Sequence, residues 1–298
     1  MMAATRNGQK AALVGLLWIV VWGAYAQGPL DGYLKGKGVL DLAPSFSVNS
    51  ARDFAGAGGQ TYDIGYKGSL LSVFAEYGLG ARLDVVGTAA YVFTATQSGL
   101  QDGGLYLKYR PVYRDLGSAG RIGALLGSGL SFPLANYEPT VSGALGQKAI
   151  VLPARLIVQW ETPLGLFASL TGGYNWRLDH LRETDVAAIR RERPDYQPAA
   201  PADFATILFR VGFPAARYYL DAWAEWQRTT GGNDYVPNVP DLPQAFGVSY
   251  TQVGGTAFYS ENGRNGFYLS GGYILGGRNT SRMMRITAGF VLKFGGRR

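Results

Sequence analysis

The chain has no cysteine, a single histidine (His180) and few charges. Only 16% of its 298 residues are Asp, Glu, Lys or Arg, against about 25% in ordinary soluble domains. Without cysteine there is no disulfide scaffold, no thiolate metal centre, no iron–sulfur cluster and no cysteine nucleophile. One histidine excludes a multi-histidine metal site. Beyond residue 26 no apolar run approaches the roughly 18–20 residues of a membrane-spanning helix. Disorder is excluded by a hydrophobic content of 47%. What the chain does have is glycine, 43 residues, and tyrosine, 19. Much Gly and Tyr with little charge and no long apolar run point to β-structure in an unusual solvent.

The N-terminus sets the compartment. Arg6 and Lys10 precede an apolar run over 11–23, and Ala24-Tyr25-Ala26 fits the small-x-small pattern of a cleavage site. The reading is a signal peptide over 1–26 and one exported domain over 27–298. The apolar run is too short for a spanning anchor, and no cysteine follows it to carry a lipid. Loss of Arg6 and Lys10 leaves a modest basic excess with no basic helix, so nucleic acid is not an expected partner.

In the body, apolar and polar residues alternate with period two over segments of about ten residues, the signature of a transmembrane β-strand. Along 204–213, Ala205, Ile207, Phe209, Val211 and Phe213 share one face, and Thr206, Arg210 and Gly212 the other. Along 218–227, Tyr218, Leu220, Ala222, Ala224 and Trp226 oppose Tyr219, Asp221, Trp223, Glu225 and Gln227. Along 285–294, Ile286, Ala288, Phe290, Leu292 and Phe294 face away from Arg285, Thr287 and Lys293. Twelve such segments are predicted: 38–50, 69–79, 82–93, 103–113, 120–132, 150–161, 165–176, 204–214, 217–228, 246–259, 266–276 and 283–294. Connections after even-numbered segments are short. Those after odd-numbered segments are long, 277–282 excepted. This is the expected asymmetry of periplasmic turns and outer loops, with both termini periplasmic. The fold class is therefore all-β, an antiparallel outer-membrane barrel of about twelve strands. A soluble barrel would carry the same alternation with its faces exchanged; the signal peptide, the aromatic strand ends and the loop parity favour the membrane form. Closure follows from physics, because every backbone N–H and C=O must be paired inside hydrocarbon.

Two stretches carry a family resemblance. Ser72–Gly87 contains Glu76-Tyr77-Gly78-Leu79 followed by Arg82-Leu83, and Leu100–Tyr113 ends in Lys108-Tyr109-Arg110, with Asp102-Gly103 in the inverse of the usual Gly-Asp order. These resemble the strand–turn–strand motifs of the bacterial outer-membrane family named for the meta-pathway of phenol degradation. The final strand ends in Phe294, which resembles a terminal-aromatic assembly signal, displaced by Gly295-Gly296-Arg297-Arg298. The resemblance implies an outer-membrane transporter of small compounds, aromatic or hydrophobic ones among them.

The chemistry inside the barrel follows from alternation. The inward face carries Glu76, Asp84, Lys108, Arg110, Arg121, Arg155, Glu161, Arg210, Asp221, Glu225, Arg285 and Lys293. One reading is a set of neutralising pairs in a narrow interior. The other is a lined pathway with a local field. Arg210 and Asp221 flank the turn at 214–216 and are expected to lie close to directly opposite each other and to pair. The segment 27–37 is read as too short for a plug. His180 lacks the neighbours of a barrel hydrolase: Arg182 stands where a serine would be needed. Two loops stand out, 182–198 and 229–245, either solvated or folded as a lid. Asn233, Asp234 and Asp241 are oxygen donors for Ca²⁺ without the spacing of a calcium loop, so no metal or cofactor is assigned. The expected function is passive passage of small molecules through an outer-membrane channel. A barrel lipid hydrolase and a structural or adhesive barrel acting through its outer loops are the rivals. The expected partners are outer-membrane lipid and lipopolysaccharide, the barrel-assembly machinery and a small-molecule solute.

Overall fold

The computed structural model describes residues 30–137, 146, 148–178, 183–197, 201–236, 239, 241 and 245–296. The signal-peptide segment 1–26 and His180 lie outside the described residues. The strands are β1 (Leu40–Ala55), β2 (Thr61–Tyr62), β3 (Tyr66–Gly78), β4 (Leu83–Thr94), β5 (Ser98–Leu100), β6 (Asp102–Asp115) and β7 (Arg121–Pro133). They continue as β8 (Val151–Glu161), β9 (Phe167–Arg177), β10 (Phe204–Pro214), β11 (Tyr218–Thr229), β12 (Ser249–Tyr259), β13 (Gly266–Arg278) and β14 (Thr280–Phe294). Among the described residues one α-helix, α1 (Glu183–Arg190), lies in the β9–β10 loop.

β2 and β5 are short appendages on β1 and β4. The twelve long strands pair antiparallel, each with the next, and β14 returns to β1 from Leu40↔Phe294 through Ala55↔Thr280. The sheet is thus a closed barrel of twelve strands, and closure removes the free edges that hydrocarbon would not tolerate.

The faces settle the inside-out question. On β10, Ile207, Phe209, Val211 and Phe213 are exposed while Thr206 and Arg210 are buried; on β11, Leu220 and Trp226 are exposed while Trp223 and Gln227 are buried. Apolar side chains cover the outside around the wall, and the polar ones turn inward. A barrel in water has the opposite arrangement.

Loop lengths follow the expected parity. The short-turn end has connections at 79–82, 116–120, 162–166, 215–217 and 260–265. At 116–120 the chain doubles back through Gly117 (φ 63°) and Gly120 (φ 94°), and a Cβ on Gly120 would overlap the Glu161 carbonyl. At the other end β13 and β14 are joined by Asn279 alone, in the left-handed region at φ 52°. There β1 runs five residues beyond its predicted end. Its polar Arg52-Asp53 reads as loop, yet the strand continues against β14 across an irregularity between Ala51 and Phe54, and Asp53 pairs with Arg282 at 2.9 Å. A barrel wall that rises clear of hydrocarbon can carry polar residues on both faces, so alternation fades before the strand does.

Candidate functional site in the barrel lumen

The interior is occupied by the chain's own N-terminal segment. Residues 30–38 precede β1 and fold back into the lumen, contrary to the expectation that 27–37 is too short for a plug. Leu30 is buried against Val86, Tyr106, Leu125 and Ile157, inward-facing residues of β4, β6, β7 and β8, with Leu34 and Phe74 packed beside them. The Tyr33 ring meets Phe167 edge-on at 5.7 Å. A narrow twelve-stranded lumen needs only a few residues to fill it, so a segment this short is enough.

The plug is seated on a belt of charge. Lys35 Nζ lies 3.2 Å from both Asp41 and Glu76, and its backbone N–H donates to Asp84 at 2.7 Å. Lys108 Nζ donates to Asp31 at 2.8 Å and is paired with Glu76. Register explains the meeting. Lys293, Asp41 and Glu76 are successive cross-strand neighbours on β14, β1 and β3, and Asp84 and Lys108 are direct neighbours on β4 and β6. Burial by itself would push the Asp31 carboxyl up, but the Lys108 and Lys35 ammoniums outweigh it and hold it well below the usual carboxylate range. Burial opposes the charge on Lys35 as well, and Asp31, Glu76 and Asp41 outweigh that and raise it. Glu76, Asp84 and Lys108 have no exposed surface. Asp31, Lys35 and Asp41 were not singled out from sequence. The alternation of β1 does point to Asp41, since Phe46 and Val48 face out and Asp41, Ser47 and Asn49 face in. The two family-like motifs meet here, through the Glu76–Lys108 pair.

The other predicted interior charges are spread along the wall. Arg210 Nε lies 3.5 Å from Asp221, whose carboxylate also accepts from Tyr219 at 2.7 Å. The pair is diagonal, however, and not directly opposite: Arg210 faces Trp223, and Asp221 faces Gly212. The hairpin closes with Pro214 opposite Tyr219, its centre one residue further along the chain than a turn centred at Ala215-Ala216, which moves every partner by two. Arg155 donates to Asn175 at 2.7 Å, Arg285 to Asn49 at 2.6 Å, and Glu225 accepts from Gln252 at 2.5 Å. Arg121 and Glu161 pair at 3.3 Å, and Lys293 reaches Asp41 at 3.9 Å. Arg110 is apart from these and stacks 4.4 Å over Tyr113.

The lumen has two unlike walls. From β3 to β8 the buried inward residues are Leu70, Val86, Val92, Tyr106, Leu125 and Ile157, with Gln159 and the belt residues Glu76, Asp84 and Lys108 below them. From β9 round to β1 they are chiefly polar: Ser169, Thr171, Asn175, Thr206, Gln252 and Ser270, with Arg210 and Asn49. Phe167, Trp223 and Ile274 are the large apolar exceptions on that side.

At the long-loop end, α1 and the β11–β12 loop pack on each other through Val186, Ile189, Tyr196 and Ala245. Asp241 accepts from Tyr196 and, at 2.8 Å, from Asn233, while Asp234 is paired with Arg278 at 2.5 Å. The three oxygen donors weighed for Ca²⁺ therefore serve loop structure. Among the described residues no group of three acidic or histidine side chains is placed to hold a metal.

No protein-family model matches the chain, and no curated protein sequence does either. Solved structures do match. The COG4313 outer membrane channel from Pseudomonas putida F1 aligns with a TM-score of 0.65 at 13% identity, over 90% of this chain and all of that one. The fold is that of a bacterial outer-membrane β-barrel. The NanC porin aligns with a TM-score of 0.53 at 11% identity, over 85% of this chain and all of that one.

Proposed function

We propose that this chain is an outer-membrane channel for passive passage of small, largely apolar molecules, aromatic ones included. The observation that carries the reading is the lumen itself, an apolar arc facing a polar one, closed by a segment held through side chains. A molecule with a hydrophobic body and one polar group can keep each part against a matching wall. The neighbours are described as an outer membrane channel and a porin, which agrees with passage and not catalysis. In this reading 1–26 is a cleaved signal peptide and 27–298 is one domain in the bacterial outer membrane, its short turns periplasmic. Outer-membrane lipid, lipopolysaccharide and the assembly machinery are its partners. Glu76, Asp84, Lys108, Arg110, Arg121, Arg155, Glu161, Arg210, Asp221, Glu225, Arg285 and Lys293 line or seat the pathway. The resemblance at Glu76–Leu79 and Lys108–Arg110 supports the finer assignment to the phenol meta-pathway family.

The test is solute flux into proteoliposomes, with a panel running from sugars to phenol and toluene. Faster entry of the aromatic members than through protein-free vesicles supports the reading. No solute-dependent flux in any form, including one lacking residues 30–35, overturns it in favour of a structural barrel.

A further inference from the structure

The seat of Leu30 has the features of a ligand site. Val86 and Tyr106 are direct cross-strand neighbours on β4 and β6, and Leu125 and Ile157 on β7 and β8. Together they make a continuous apolar patch, each member buried. Gly127, two residues along β7 from Leu125, leaves a dent in the wall: a Cβ there would overlap the Leu30 Cδ1 methyl. The side chain that fills the dent belongs to a segment held without backbone pairing to the wall. Among the described residues no backbone–backbone hydrogen bond ties residues 30–35 to the wall; the first such bonds are at Gly38 and Val39. The segment joins β1 through Gly36 (φ 85°) and Gly38 (φ 77°), two left-handed positions on either side of Lys37. Its anchors are the ion pairs of Asp31 and Lys35, the Lys35 N–H bond to the Asp84 carboxylate, the Tyr33–Phe167 ring contact and the insertion of Leu30 with Leu34 beside it.

We propose that the Leu30 pocket is a subsite for a small uncharged apolar solute, from a branched alkyl group to a single aromatic ring, and that the solute opens the lumen by competing with Leu30 for it. The inference rests on the channel reading above and deepens it. The pocket is free only when the plug is out. A solute that binds there binds the open state alone, and the equilibrium shifts toward open in proportion to its occupancy. At about twice its dissociation constant the open-to-seated ratio rises roughly threefold. The charged anchors set the resting bias, and the apolar contact is the part a solute can replace.

The absence of cysteine makes the test clean. An ideal Cβ on Gly32 lies 3.2 Å from the Gln159 Cβ, close to the roughly 3.5–4.5 Å of a disulfide. Gly32→Cys/Gln159→Cys therefore locks the plug when oxidised and frees it when reduced. The readout is ionic conductance in planar bilayers, with toluene as probe and benzoate as its charged counterpart. The reduced protein is expected to gain roughly threefold in open-to-seated ratio with toluene at about twice its dissociation constant. It should gain nothing with benzoate, and the oxidised protein nothing with either. Leu30→Ala supplies the second arm. Its pocket is empty even when the plug is seated, so toluene binds both states alike and shifts nothing. Equal toluene responses in the oxidised and reduced forms overturn the proposal, as does a Leu30→Ala response equal to that of the wild type. Aromatic flux without any toluene-dependent conductance overturns the subsite and leaves the channel reading standing. Absence of flux in every form overturns the channel reading itself.

Discussion

The two walls of the lumen are built from the same kind of strand and differ in what their inward positions carry. From β3 to β8 the buried inward positions include Leu70, Val86, Val92, Tyr106, Leu125 and Ile157, and the buried charges Glu76, Asp84 and Lys108 sit together on the plug's belt, with Arg155 apart on β8. From β9 to β1 the buried inward positions carry Ser, Thr, Asn and Gln, with Arg210, Asp221, Glu225 and Arg285 spaced along the wall. On the first wall Glu76 is held by two ammonium groups, Lys35 and Lys108, so its partners are other charges. On the second wall charges also meet neutral groups, as Asp221 meets the Tyr219 hydroxyl and Arg285 the Asn49 amide. The same ion-pair chemistry should therefore have different energetic weight on the two sides.

The largest expected effect tests that directly. Lys108→Met removes one of the two ammonium groups on Glu76 and the one bonded to Asp31 in a buried setting; with Lys35 remaining it should cost about 3 kcal/mol, the low end of the range for breaking a buried pair from one side. Arg210→Met, on the polar wall, should cost clearly less, because Asp221 keeps the Tyr219 hydroxyl. Urea unfolding in lipid vesicles gives both numbers. Equal costs would erase the distinction between the walls.

The outer surface should not know which wall lies behind it. Leu71→Arg, outside the apolar arc, and Phe209→Arg, outside the polar arc, should each cost about 2–4 kcal/mol near the bilayer midplane. Thr206→Arg, on the inner face of the same strand as Phe209, should cost much less. If the two lipid-facing variants differ by as much as the two walls do, the asymmetry is not confined to the interior.

The Arg210–Asp221 pair sharpens the comparison at a smaller scale. Arg210→Ala should destabilise more in the wild-type background than in one carrying Asp221→Ala, by on the order of 1 kcal/mol or more. The pair is diagonal and part of a chain that includes Tyr219, so some coupling should survive in a cycle between Arg210 and Tyr219. A coupling near zero in both cycles would mean that solvent already screens this wall.

These residues also mark what alternation can and cannot reveal. The facing of Phe209, Arg210, Leu220 and Asp221 was legible, because a period of two leaves only two choices per strand. The diagonal offset of Arg210 and Asp221 was not. Register depends on where a turn closes, and a shift of one residue at 215–217 moves every partner. The plug was illegible for a different reason. Leu30-Asp31-Gly32-Tyr33-Leu34-Lys35 has no periodicity of its own, and its meaning lies in the partners that β3, β4 and β6 bring to it. Asp31 and Lys35 become a seat only once Glu76, Asp84 and Lys108 share a level. That is a property of closure and shear, and no local window of sequence contains it.

The smallest expected effect asks whether the walls matter for passage as well as for folding. Val92 on β4 and Thr171 on β9 are both buried inward residues of nearly equal volume. Val92→Thr places a hydroxyl against Leu70 and Tyr137 in an apolar cluster. Thr171→Val removes one from a polar surface. The first should cost about 0.5–1 kcal/mol, the lower part of the range for burying a hydroxyl, and the second less. Neither changes the bore, so ionic conductance in a plug-deleted background should be unaltered in both. Solute selectivity should move in opposite directions. Val92→Thr should slow toluene relative to phenol, since the apolar track gains a group that must be desolvated as the ring passes. Thr171→Val should slow phenol relative to toluene, since the hydroxyl of the solute loses a place to bond along the other track. Parallel changes in both ratios would mean that the two walls act as one averaged surface. Opposite changes would mean that a solute crosses this lumen oriented, its ring toward β3–β8 and its polar group toward β9–β14.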